Sequence, residues 1–173
     1  VLSPQISAIF APWTDAVSKT SIQFVTGSPI NHCRSRASGK WTKIALICGD
    51  KTVAYLRDDF AHIPNPNEWD LPGGVREPGE TAFACAARET FEEFGICIAR
   101  DAVIHAVLYT AQDPERRVAF FVANVSDNLV AQIKFGDEGQ KWRLMPISEF
   151  LARKDAVDDL QSCLAAYLDL AGT

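Results

Sequence analysis

Leu71-Pro-Gly-Gly-Val-Arg-Glu-Pro-Gly-Glu80 runs on through Thr81, Arg88-Glu89 and Glu92-Glu93 to Gly95-Ile96. A glycine-rich turn is joined here to a helix whose carboxylates have fixed spacing. Glu89, Glu92 and Glu93 stand at i, i+3 and i+4, so a helix places all three on one face within reach of a shared ion. Like charges that close repel unless a cation stands between them. The stretch therefore reads as a metal-dependent phosphate site. Thr81 suits the N-cap of a helix from Ala82 to Phe94, and Gly95 suits its left-handed end. One stripe, Phe83, Ala87, Thr90, Phe91 and Phe94, is expected to face a sheet. The other, Arg88, Glu89, Glu92 and Glu93, is expected to be exposed toward substrate.

Working outward, Trp41 to Cys48 and Thr52 to Arg57 are rich in apolar and β-branched residues around Gly49-Asp50, which predicts a hairpin. His62 to Asn67, with two prolines, predicts a loop that leads into Trp69-Asp70-Leu71. Val103 to Ala111 and Val118 to Val125 read as strands separated by a turn-rich segment. The loop Gly136-Asp-Glu-Gly-Gln140 precedes a short strand, Lys141 to Met145, and a helix is expected near Ser148-Glu149. A last helix, about Ala156 to Leu170, buries Leu160, Leu164, Tyr167 and Leu168. Residues 1–40, broken by Pro4, Pro12 and Pro29, show no period. The order of elements predicts an α/β fold with a mixed sheet flanked by helices.

The chain has 173 residues, and its 47% hydrophobic content suffices for one core, so a single domain spanning 1–173 is expected. A net charge of −5 supplies no basic field for long nucleic acid. Cys33, Cys48, Cys85, Cys97 and Cys163 form no CxxC pair and read as small buried hydrophobes. No apolar run approaches the roughly 18 residues of a membrane span, and no basic-then-apolar leader opens the chain, so a cytoplasmic protein is expected. The start at Val1 fits a trimmed beginning. A homodimer is compatible with this composition.

The spaced residues resemble the Nudix hydrolase box, G-x5-E-x7-R-E-U-x-E-E-x-G-U with U aliphatic. Here it is Gly74, Glu80, Arg88, Glu89, Thr90, Glu92, Glu93, Gly95 and Ile96, with every spacing kept and Thr90 the single departure. The resemblance implies a Nudix-type α/β/α sandwich. It also implies hydrolysis of a nucleoside diphosphate linked to another moiety, with Mg²⁺, for which Mn²⁺ could substitute. It implies metal binding by Glu89, Glu92, Glu93 and the Gly73 carbonyl, with Glu80 further from the ion and Arg88 orienting the carboxylates.

Outside the box, Glu138 lies in a glycine-flanked loop and is expected to act as a further ligand or as the general base, with Asp137 as its competitor. Trp69, Phe10, Tyr109, Phe120 and Trp142 are aromatic candidates for stacking on a base, Trp69 being preferred for its place before the glycine turn. Arg57 and Arg116-Arg117 are candidates for phosphate contact. His32, His62 and His105 show no metal-ligand spacing. Pro114 and Tyr109 are out of register with the markers of ADP-ribose and dinucleoside-polyphosphate hydrolases. Elimination leaves a small nucleotide-like substrate, a nucleoside triphosphate or a nucleotide sugar. The competing readings are a non-catalytic Nudix-fold nucleotide-binding module, which intact Glu89, Glu92 and Glu93 disfavour, and a prenyl-diphosphate isomerase, which the scattered cysteines do not support.

Overall fold

β1 (Trp41–Cys48) and β2 (Lys51–Leu56) are nearly unbroken apolar runs because both faces of the sheet they build are covered. The computed structural model describes residues 40–110 and 117–172. Phe10, His32, Cys33, Pro114 and Arg116, with almost all of the opening segment, lie outside the described residues. The expected hairpin is present, with Ile47 opposite Thr52 and Cys48 opposite Lys51.

The remaining elements are β3 (Trp69–Asp70), α1 (Ala82–Phe94), a 3₁₀ turn (Arg100–Ala102), β4 (Val103–Thr110), β5 (Arg117–Asn124), α2 (Asp127–Val130), β6 (Lys141–Pro146), α3 (Ile147–Ala152) and α4 (Asp158–Ala171). The main sheet order is β3-β2-β1-β5-β4, and β6 runs along the other edge of β2. β1 and β5 are parallel while the other pairs are antiparallel, so the sheet is mixed. The parallel pair needs a long crossover, and the glycine turn and α1 lie within it.

Alternation along the strands divides the core into two layers. Ile44 and Leu46 of β1, with Ala119, Phe121 and Ala123 of β5, pack with Ala86 and Phe94 of α1. Ala45, Phe120 and Val122 point the other way and pack with Phe150 of α3 and Leu160, Cys163 and Leu164 of α4. This is the expected α/β/α sandwich. No helix among the described residues is long and apolar enough to cross a membrane.

The buried face of α1 follows the expected stripe at Ala87, Thr90 and Phe94 and extends it to Cys85 and Ala86. Ala86, Thr90 and Phe94 are fully buried, with Phe83 partly buried, whereas Phe91 remains partly exposed. Thr90 tolerates the interior because its hydroxyl donates to the Ala86 carbonyl at 2.7 Å. Cys48, Cys85 and Cys163 are buried as expected, while Cys97 is exposed.

Candidate active site

Where β1 and β2 diverge, the chain that follows β3 fills the gap. Asp70 pairs with Tyr55 of β2 on one side. On the other, Ile44 and Thr42 of β1 donate backbone N–H groups to the Pro72 and Gly74 carbonyls, both at 2.9 Å. The glycine turn is thus held as a sheet element. Gly73 has φ +128, and a side chain there would collide with the Thr42 carbonyl. A side chain at Gly74 would collide with the Glu89 carboxyl. Gly73 thus lets the turn lie directly against β1, and Gly74 leaves room for the Glu89 carboxyl.

α1 begins and ends as its local sequence dictates. The Thr81 hydroxyl accepts from the Ala84 N–H at 3.1 Å, and Gly95, at φ 68, donates to the Phe91 carbonyl. On this helix Arg88, 7% exposed, gathers the acids. Its Nε and Nη2 donate to Glu80 at 3.0 and 3.2 Å. Its Nη1 lies 2.8 Å from Glu92 and 3.0 Å from Glu89, and Nη2 also donates to the Val75 carbonyl. Burial opposes the guanidinium's charge, but the three carboxylates outweigh it and hold its pKa above the ordinary range.

The expectation of an exposed charged stripe is corrected by burial. Glu92 is open, with a side chain 44% exposed, but Glu93 is only 3% exposed. Its carboxyl turns inward because the Gly73 N–H donates to Oε2 at 3.0 Å. Burial, with Asp70 and Glu89 adding to it, pushes the Glu93 carboxyl up to about 8, against the opposing pull of Lys43 and Gly73. Burial also raises the Glu89 pKa; Arg88 counters it, while Glu92 and Glu138 reinforce it.

Glu138 is exposed on a loop fastened beside α1, where the Gly136 N–H donates to the Glu93 carbonyl at 2.8 Å. Arg88 thus brings Glu80, Glu89 and Glu92 together, Glu93 sits on the inner side, and Glu138 lies close enough for its charge to act on Glu89.

Two preferred candidates occupy structural positions. Trp69 is 3% exposed in the core, with its ring flanked by Lys141, Arg143 and Arg153 within 5.9 Å, so no ring face is open to a base. Arg57 is engaged inside the fold, its Nη1 2.7 Å from Asp70 Oδ2 and its Nε donating to the Pro64 carbonyl. Phe120 is core, the Tyr109 hydroxyl donates to the Cys163 carbonyl, and Trp142 packs against the core layer of α1. Lys43, Tyr55 and Asp70, all buried beside Glu93, are not among the residues expected from sequence. The available signal was a charge inside each of two apolar strand patterns, Trp-Thr-Lys43-Ile and Trp-Asp70-Leu.

The donor set suits a hard divalent cation, since it offers carboxylate oxygens whose proton affinities are raised at Glu89 and Glu93. Among the described residues no three His, Cys, Asp or Glu side chains are grouped so as to hold a metal ion, and Arg88 Nη1 engages both Glu89 and Glu92.

A family model for the NUDIX domain matches residues 42–167, most of the chain. The chain belongs to the Nudix hydrolase family. No curated protein sequence matches it. Among solved structures it is similar to a MutT protein from Methanosarcina mazei Go1, at 19% identity and TM-score 0.62, covering 77% of this chain and 94% of that one. It is similar to a C. elegans Ap4A hydrolase at 22% identity and TM-score 0.57, covering 78% and 100%. A bifunctional NMN adenylyltransferase/ADP ribose pyrophosphatase from Francisella tularensis, complexed with AMP and a manganese ion, matches at 18% identity and TM-score 0.59. That match covers 79% of this chain but 43% of the longer protein. These likenesses establish the fold.

Proposed function

We propose that this hydrolase cleaves the pyrophosphate linkage of a small nucleoside diphosphate derivative, a nucleoside triphosphate or a nucleotide sugar, by attack of water on phosphorus with Mg²⁺ as cofactor. Mn²⁺ substitutes for it. The observation that carries this reading is the pair Glu89 and Glu93, packed at the glycine turn with raised proton affinity. A cation at that place favours the ionised form of both. Glu89, Glu92, Glu93 and the Gly73 carbonyl would hold it, with Glu138 contributing from its loop. The bound cation supplies charge neutralisation at the phosphoryl oxygens and a more acidic water.

The chain's own residues do the positioning. Arg88 ties Glu89 and Glu92 to Glu80, so the acids keep their spacing as substrate enters. Glu138, near enough for its charge to act on Glu89, is the group its loop places to take a proton from the attacking water. A module that only bound nucleotides would gain nothing from acids set where phosphates must lie, because like charges repel at that range.

The test is product analysis on a panel of nucleoside triphosphates, nucleotide sugars and simple phosphomonoesters, with Mg²⁺ or with chelator. A triphosphate should give a monophosphate and pyrophosphate, a nucleotide sugar a monophosphate and a sugar phosphate, and both reactions should stop with chelator. Phosphomonoesters should be inert. Full turnover in chelator, or orthophosphate release from monoesters with every diphosphate intact, would overturn the proposal.

A further inference from the structure

The chain between β2 and β3, residues 57–68, is a loop tied at several points. Its ends meet where the Arg57 N–H donates to the Glu68 carbonyl and the Asn67 N–H to the Asp58 carbonyl, both at 3.0 Å. Arg57 holds its middle to the interior, with Nη1 2.7 Å from the buried Asp70 and Nε donating to the Pro64 carbonyl at 2.9 Å. Within it the Ile63 N–H donates to the Phe60 carbonyl at 3.1 Å. Across this turn the rings of Phe60 and His62 form one stack, centroids 5.7 Å apart and planes 13° from parallel.

The same loop is fastened to the one that carries Glu138. The Gly139 N–H donates to Asp58 Oδ2 at 3.1 Å, and Gln140 Nε2 donates to the Arg57 carbonyl at 2.8 Å and to Asn67 Oδ1 at 3.0 Å. Phe60 follows Asp58 by at most about 7 Å of chain, and Gly139 adjoins Glu138, so the stacked rings stand beside the Glu138 loop. Among the described residues Phe60, 54% exposed, is the one exposed Phe, Tyr or Trp. A single apolar side chain in water is ordinary. A stacked ring on a loop held at both ends and joined to the site is a flat surface fixed before substrate arrives.

We propose that Phe60, backed by His62, is the platform on which the nucleobase of the substrate stacks. This deepens the proposed function and rests on it, with the pyrophosphate at the box acids and Glu138 and the base on the 57–68 loop. Stacking reads a π face and not a hydrogen-bonding edge, so the platform accepts any base.

Phe60→Ala removes the ring from an exposed position, and Phe60→Tyr keeps it. The probes are α,β-methylene-ATP, which carries a base and resists cleavage, and methylenediphosphonate, which carries none. Each is titrated with Mg²⁺ into wild type and both variants by calorimetry, with melting temperatures and wild-type turnover on the nucleotide panel measured alongside. Phe60→Ala should bind α,β-methylene-ATP about tenfold more weakly and methylenediphosphonate as wild type does, at an unchanged melting temperature, while Phe60→Tyr should match wild type on both. Unchanged affinity for α,β-methylene-ATP in Phe60→Ala overturns the inference. So does an equal loss for both probes, since the loop would then serve the phosphates, and so does a Phe60→Tyr variant as weak as Phe60→Ala. Each of these, with wild-type turnover intact, leaves the proposed function standing. A wild type that binds neither probe and cleaves no diphosphate overturns both readings.

Discussion

Glu93 keeps its carboxyl in the interior, pushed up to about 8 first by burial and then by Asp70 and Glu89, so its charge state bears on stability as well as on the site. Its folded pKa lies above its unfolded value, so the folded state binds the extra proton, and stability falls as pH rises through the folded pKa. Without metal, stability should therefore decline between about pH 4.5 and about pH 8, and the melting temperature with it. The loss is roughly a few kcal/mol at most, because a tenfold change in proton affinity is worth about 1.4 kcal/mol. Glu93→Gln, which cannot ionise, should flatten that decline and be the more stable protein at the alkaline end. Parallel curves for wild type and variant in chelator would refute the assignment.

Among the elements, the loop that carries Glu138 is built differently from a hinge. A side chain at Gly136 would strike the Glu92 carbonyl, and Gly139 stands against Tyr55 and the Leu56 carbonyl. The loop is pinned by Gly136 N–H to Glu93, Gly139 N–H to Asp58 Oδ2 at 3.1 Å, and Gln140 N–H to Leu56. The flanking glycines serve close approach to α1 and β2. A pinned loop suits a group that must be placed before substrate arrives. Glu138→Gln should therefore lower kcat at least tenfold, about 1.4 kcal/mol of transition-state stabilisation, with a smaller change in KM. Asp137→Asn is the control. If the control loses more activity, or both variants keep full rate, the assignment to this loop fails and the base lies among the box glutamates.

Across the whole molecule, what can be read from sequence is local. The acidic triplet Glu89, Glu92 and Glu93, the Thr81 cap, the Gly95 stop and the hairpin turn each lie within one or two turns of chain, where spacing fixes geometry. The burial of Glu93, the frame of Lys43, Tyr55 and Asp70, and the parallel pairing of β1 with β5 join residues distant in sequence, and no periodicity reports them. The core position of Trp69 is hidden from sequence for the same reason, since its ring is covered by residues of β6 and by Arg153. The same separation of site from scaffold governs the response to metal removal. Both core layers are closed by apolar side chains from the sheet, α1, α3 and α4. Chelator should abolish diphosphate cleavage while leaving the circular dichroism spectrum and a cooperative thermal transition intact. Restoring the cation at about a hundredfold its Kd should add roughly 2.7 kcal/mol of stability by preferential binding to the folded state. Loss of the cooperative transition in chelator would mean that the metal helps to close the fold, as in small domains whose cores are insufficient without one.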